Sequence, residues 1–386
     1  MTEKQKTNAS KVKNEAASSR RRFLTGAAGA VAGGAAMIAA PQVSRAQTVT
    51  LKMQGAWGAK DVFNDMAMEY VDKVNAMAGG RLKINYLVSG AVVKAFRVQD
   101  AVHKGVLDGG HGVTVYWYGK SKVASLFGTG PVFGQDAHLG LAWIYRGGGQ
   151  ELYNELIEKL GINTVGFFAM PMPTQPLGWF QKEIKSADDL VGLKYRTVGL
   201  AADLMQEMGL KVTQLPGGEI VPALERGVIE AFEFNNPTSD RSFGAQDVSK
   251  HYMMGSYHQA AEFFEIIFNK RKYNALPKEH QAILRYAAEA ASSSNFFTAM
   301  DRYSADLLWL RDKAGVNIHR TPQSIMNKQL EAWDVMIDKL EGEDPFFKKV
   351  LASQKKFAHR AAYYILLNQC DYKLAFDHYF PGELGF

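Results

Sequence analysis

Residues 101–108 read "AVHKGVLD" and residues 223–230 read "ALERGVIE". Each is the end of a helix, a basic residue, a glycine suited to a helix C-terminus, and the start of a buried strand. Common helix–glycine–strand grammar can produce such a match by chance. Two similar lobes, each with an equivalent helix–strand unit, also account for it and place one unit in each half of the mature chain. The first strand runs into "HGVTVYWYGK" (111–120) and the second into "AFEFNNPTSD" (231–240). If the lobes face one another, both strand ends open onto one cleft. Open α/β sheets bind their ligands at such a place.

The surrounding chain alternates strand and helix. "TVTLKMQGAW" (48–57) reads as a strand. "DVFNDMAMEYVDKVNAMAGG" (61–80) reads as an amphipathic helix with Val62, Phe63, Met66, Tyr70, Val74 and Met77 inward, stopped at Gly79-Gly80. "RLKINYLV" (81–88) is a second strand, and "GGGQ" (147–150) turns one helix into another. This alternation predicts an α/β protein with largely parallel sheet. After Leu276-Pro277 the sequence is helical to about Gly315, followed by a short strand, "VNIHR", and two more helices. The last carries "AAYYILL" (361–367), which is apolar on every side and calls for cover on more than one face.

The basic balance of the chain does not point to nucleic acid. Eight of the 45 Lys/Arg and two of the 39 Asp/Glu precede Gln47, which leaves 37 of each and no net charge in the remainder. The leader has "SRRRFL" (19–24), a weakly apolar Gly/Ala run, and "SRAQ" (44–47) with small Ser44 and Ala46 at a cleavage site. A twin arginine before a run of low hydrophobicity looks like a twin-arginine export signal; the alternative is an ordinary Sec signal with a chance arginine pair. The run is too short and too rich in glycine for a membrane span. No cysteine near the cleavage site offers a lipid anchor, and the single Cys370 cannot form an internal disulfide. The mature chain is expected in a bacterial periplasm.

Several chemistries lack their residues. One cysteine makes no thiolate metal site. The nine histidines show no HExxH, and His111 and His258 read more readily as solvated or core residues than as ligands. No phosphate loop and no GxSxG are present. What remains is three polar residues inside apolar stretches. Gln175 precedes an aromatic strand, Arg196 ends a short strand, and Glu233 lies near the end of "VIEAFEF" (228–234), which reads as a strand with Ile229, Ala231 and Glu233 on one face. Each could be an ordinary turn or surface residue. Together, a planar guanidinium suits a carboxylate, and Gln and Glu oxygens with a backbone carbonyl suit a hard cation.

The order "QPLGWFQKEIKSADDLVGLKYR", "GGEIVPALERGVIEAFEFNNP", "KYNALPKEHQ", with "SGAVVKAFRVQDAVHKGVLDGGHGVTVYWYGK" and "FGTGPVFG" before it, resembles the solute-binding subunit of a tripartite ATP-independent periplasmic (TRAP) transporter. It is most similar to the branch that binds 2-oxo and 2-hydroxy acids with a metal ion. The resemblance implies a two-lobed periplasmic binding protein fold with an interlobe ligand cleft, hinge strands and long C-terminal helices. On this reading 1–46 is the signal, 47–170 mainly the first lobe and 171–275 mainly the second. The helical segment 276–386 spans the lobes and ends in a dimerisation helix. Carried over by position, Arg196 clamps the substrate carboxylate. Gln175 and Glu233 hold Ca²⁺ or Na⁺ by side-chain oxygens and Phe234 by its carbonyl, while Tyr116, Trp117 or Tyr118 line the pocket. Where members of the family usually have Trp, this chain has Phe234, and "NNP" at 235–237 also departs from their pattern. The implied partners are a small carboxylate, the membrane subunits of the permease and a second copy of the chain. The rival readings are a secreted metal-dependent enzyme with Glu233 as base, and a sensor module that presents the closed lobes to a receptor.

Overall fold

The computed structural model describes residues 48–385, so the leader and its export signal lie outside the described residues. In chain order the elements are β1 (Val49–Gly55), α1 (Val62–Met77), β2 (Leu82–Leu87), α2 (Val98–His103), β3 (Gly109–Gly112), α3 (Ala137–Arg146), α4 (Gly149–Lys159) and β4 (Thr164–Met172). Then come β5 (Gly178–Phe180), β6 (Lys194–Arg196), α5 (Leu200–Glu207), β7 (Lys211–Thr213), α6 (Ile220–Glu225), β8 (Ala231–Phe232), α7 (Pro237–Ser242), α8 (Ala245–Val248), β9 (His251–Met254) and β10 (Glu262–Asn269). The chain closes with α9 (Lys270–Asn274), α10 (Lys278–Asp312), β11 (Asn317–Arg320), α11 (Gln323–Glu343), α12 (Pro345–Asn368) and α13 (Tyr372–Tyr379).

The strands form two sheets, one per lobe, in the orders β2-β1-β3-β10-β4 and β11-β9-β5-β8-β6-β7. The sheets are mixed, not largely parallel. In the first, β1 runs parallel to β2 and β3, while β10 is antiparallel to β3 and β4. In the second, β5 is antiparallel to both β8 and β9, and the other pairings are parallel. The reason is the path of the chain. It leaves the first sheet along β4 and returns along β10, and two strands that cross a hinge in opposite senses meet antiparallel. β10 thus falls within 171–275 yet pairs in the first sheet.

The repeated helix–glycine–strand units occupy matching places. α2 ends near Gly105 (φ 76°) and leads to β3; α6 ends near Gly227 (φ 68°) and leads to β8. Both glycines take the left-handed conformation that L side chains avoid. In α1 the Asp61 carboxylate caps the first turn by accepting from Phe63 N–H, and the expected inward residues are buried except Met77, which lies exposed in the last turn. The long α10 braces both lobes. Asn295 Nδ2 and Tyr70 Oη tie it to α1, and Asp306 pairs with Arg241 of α7, whose guanidinium lies 3.7 Å from the Trp309 ring. Buried side chains of both sheets, such as Met53, Phe264, Trp179 and Phe232, join one apolar cluster.

α12 buries Phe347, Val350, Leu351, Phe357, Ala358 and Ala362 against the body. Beyond that, Tyr363, Leu366, Leu367, Tyr372, Leu374 and Tyr379 lie bare, with Leu367 72% exposed and Tyr379 73%.

Candidate functional site

β6 carries Arg196 into the interior, where it is 1% exposed. Its Nε donates to the Leu215 carbonyl at 2.8 Å. Its Nη1 donates to the Glu233 carbonyl at 2.6 Å and to Glu233 Oε1 at 3.0 Å. Glu233 is not inside the strand expected over 228–234, because β8 is only Ala231–Phe232. It follows the strand, held by its N–H on the Arg196 carbonyl. The ion pair therefore joins the ends of two neighbouring strands. Glu233 already engages Nη1 of the guanidinium that the sequence reading reserves for a ligand. Nη2 makes no hydrogen bond among the described residues.

Gln175 lies where the chain crosses from β4 to β5. Its N–H donates to the Gln259 carbonyl at 3.1 Å, which joins this crossing to the return crossing before β10. Its Nε2 donates to Glu262 Oε2 at 2.9 Å. Asn235 Nδ2 donates to the same oxygen. Asn236 in turn donates to Asn235 Oδ1 and accepts from Ser239 N–H, so the unusual "NNP" builds a polar floor and caps α7.

Two oxygens on this floor have no hydrogen-bond partner although they are buried: Gln175 Oε1 and Glu233 Oε2. A buried acceptor without a donor is costly, so a pair of them marks a place for a cation or a ligand donor. Burial pushes Glu233 up to about 7 against the pull of Arg196. The Thr197 hydroxyl is near enough to lower it without making a hydrogen bond of good geometry. Burial pushes Glu262 up to about 7 as well, against the hydrogen bonds from Gln175 and Asn235. His258 is pushed down to about 3 by burial, with Arg196 adding to the effect, and is neutral near pH 7. Among the described residues no three His, Cys, Asp or Glu are grouped to hold a metal. A cation on this floor would rest on amide, carboxylate and carbonyl oxygens, a donor set that suits Ca²⁺ or Na⁺ and not Zn²⁺.

The floor borders a recess of about 10 Å³ lined by Gln175, Arg196, Asn235 and Glu262, with Tyr116 and Phe234 above. That is room for about one water or one ion. Tyr116 and Phe234 also line an outer cleft of about 520 Å³ between the lobes. A larger cavity of about 660 Å³ lies behind the hinge, between the end of α10 and β11. None of Gln175, Arg196 or Glu233 lines it or the outer cleft, but the outer cleft shares Trp57, Tyr116 and Phe234 with the recess, whereas the larger cavity shares no residue with it.

Of the three neighbouring aromatic residues, only Tyr116 faces the cleft. Trp117 turns into the core, where its Nε1 donates to Glu265 at 2.8 Å, and Tyr118 Oη reaches Asp203 of α5 at 2.5 Å. Residues 114–117 form a tight 3-10 turn, which points successive side chains in different directions. Asp203 also pairs with Lys122 at 2.9 Å, and Ser239 Oγ donates to Asp61 Oδ1 at 3.0 Å. These contacts link segments that leave the first sheet to helices of the second. Sequence reasoning passed over Glu262, Asn235 and Gln259. Glu262 was within reach, as it opens "EFFEIIFN", a strand buried throughout that contains two carboxylates.

Two lobes, two crossing strands, a bracing helix and a polar floor between the lobes define the class of two-lobed solute receptors. A family model described as bacterial extracellular solute-binding protein, family 7, matches residues 53–343. A monocarboxylate 2-oxoacid-binding periplasmic protein of Nostoc is 32% identical over 329 residues, 84% of this chain and 88% of that protein. A TRAP solute-binding protein from Colwellia psychrerythraea with bound calcium and pyruvate has a TM-score of 0.80 and is 30% identical, covering 86% of this chain and 100% of that one. One from Pseudoalteromonas atlantica with bound sodium and pyruvate has a TM-score of 0.80 at 28% identity over the same shares. One from Bordetella bronchiseptica, a mixed-occupancy dimer with copurified calcium and picolinate, also has a TM-score of 0.80 at 28% identity, covering 86% and 97%. The chain belongs to the extracellular solute-binding protein family 7, the receptors of TRAP transporters. It is a receptor that captures a solute, and not an enzyme.

Proposed function

We propose that this protein captures a small 2-oxo or 2-hydroxy monocarboxylate together with Ca²⁺ or Na⁺ and hands it to the membrane subunits of a TRAP permease. The observation that carries this reading is the pair of orphaned oxygens, Gln175 Oε1 and Glu233 Oε2, buried beside the Arg196 guanidinium. Those oxygens and the Phe234 carbonyl would hold the cation. The cation would supply a positive charge that lets an anionic ligand rest beside Glu233 and Glu262. The free Nη2 edge of Arg196 would take the ligand carboxylate, and Tyr116 would form the wall above it. Trp117 and Tyr118 take no part in binding. In calorimetry, exhaustive chelation of the cation is expected to weaken pyruvate binding by more than about tenfold, with recovery on adding calcium. Equal affinity for the stripped and reloaded protein would remove the cation from the site.

Export through the twin-arginine route rests on "SRRRFL" ahead of the Gly/Ala run. Changing Arg20 and Arg21 to Lys should leave the precursor in the cytoplasm, whereas normal periplasmic yield would return the leader to the Sec class. A homodimer rests on the bare apolar residues of α12 and α13, which make a strip of the kind that marks an interface. Sedimentation at tens of micromolar should give twice the chain mass, and truncation after Ala362 should give the monomer. A monomer in both cases would leave the strip without this partner.

A further inference from the structure

We infer that the preferred solute is a 2-oxo or 2-hydroxy monocarboxylate with a bulky apolar body, aryl or branched, rather than a three-carbon acid. The inference rests on the proposed binding of the acid head at the Arg196 floor and concerns what lies above it. A three-carbon acid displaces about as much as three waters, on the order of 90 Å³. The outer cleft, which meets the recess at the floor through Trp57, Tyr116 and Phe234, measures about 520 Å³. Pockets of this size enclose ligands much larger than pyruvate. Its walls are aromatic on both sides, with Trp57 and Tyr116 from one lobe and Phe234 and Phe243 from the other. Flat walls of this kind favour stacked or edge-on contact with a planar or branched body.

The width of the cleft is built in. The Phe234 ring packs closely against Gly217, where a Cβ would come within 2.4 Å of Cε2. Phe243 meets the same ring edge-on, with centroids 5.3 Å apart. Phe234 is therefore packed against Gly217 and Phe243 of its own lobe. Four charged residues line the same cavity: Lys60, Lys94 and Glu219 are exposed at the rim with mixed signs, and Asp61 is a buried carboxylate, so the set does not select a second carboxylate on the ligand.

The test is calorimetry on the mature, calcium-loaded protein with pyruvate, phenylpyruvate, 4-methyl-2-oxopentanoate and 2-oxoglutarate. Phenylpyruvate or 4-methyl-2-oxopentanoate is expected to bind at least about tenfold more tightly than pyruvate, the scale of a few methylenes moved from water into an apolar pocket. Gly218 lines the outer cleft, and a Cβ there would meet nothing within 4 Å. Gly218→Leu should therefore fold normally, weaken the bulky acids by about tenfold and leave pyruvate nearly unchanged. Pyruvate binding as tightly as the bulky acids would overturn the inference, as would 2-oxoglutarate binding most tightly or Gly218→Leu weakening every acid alike. If none of the four binds, the reading of the Arg196 floor itself fails.

Discussion

Replacing Arg196 with lysine is expected to weaken capture of a 2-oxo acid by about 30- to 5000-fold, equivalent to the loss of about 2–5 kcal/mol when one side of a buried charged pair is broken. The guanidinium holds three oxygens from a fixed plane: the Leu215 carbonyl, the Glu233 carbonyl and Glu233 Oε1. The remaining Nη2 edge is what the proposed site offers to a carboxylate. An ammonium is a compact charge on a flexible stem and cannot hold the two carbonyls while presenting a further donor at a set angle. Lysine still leaves Glu233 with a cation, so the fold is expected to survive, and thermal unfolding checks this. A folded variant with wild-type affinity for pyruvate would show that Arg196 only neutralises Glu233.

Glu233→Gln is expected to keep the shape of the floor, lower calcium occupancy and flatten the response to pH. In the wild type, Glu233 and Glu262 both have carboxyls raised to about 7 by burial. Both must be ionised to favour a cation, so calcium affinity should fall as pH drops from 8 to 6, and fall less steeply in the variant. The stability of the metal-free protein should run the other way. A carboxyl whose folded pKa lies above its unfolded value stabilises the fold fully below about 4.5 and loses that contribution as pH rises through about 7. Asp61, raised to about 7, and Asp240, raised to about 6, add to the same trend. The chelated protein should therefore melt earlier at pH 8 than at pH 5.5, and calcium should restore most of the difference at pH 8. Calcium titrations and melting curves at the two values test both signs. A chelated protein that is more stable at pH 8 would mean that these carboxyls are already compensated.

The three polar residues of the proposed site were picked out because each stood in an apolar stretch, where a charge or amide needs a reason. Glu262 satisfied the same criterion, as the first residue of a strand buried throughout, and was passed over. The choice among Tyr116, Trp117 and Tyr118 was not legible. A strand or a helix would have supplied a period to separate them, but a 3-10 turn of four residues supplies none. The engagement of Arg196 with Glu233 was equally hidden, since it depends on β6 and β8 lying side by side although 34 residues separate them in the chain. Strand direction failed for a related reason. Alternating strand and helix implies parallel crossovers within one sheet, and says nothing of strands that leave for another lobe and come back.

That exchange of strands has a consequence for how the molecule can be taken apart. β10 completes the first sheet from a position after the second has been laid down, and β11 closes the edge of the second from beyond the long α10. Neither lobe is a contiguous piece of chain. A cut after residue 170 leaves the first half without β10, a strand that its sheet requires, exposing unpaired backbone and an apolar face. Expression of residues 47–170 alone should give an aggregating fragment and not a half-receptor. Heating the whole protein should melt both lobes in one transition, because β10, the long α10 and a shared apolar cluster tie them together.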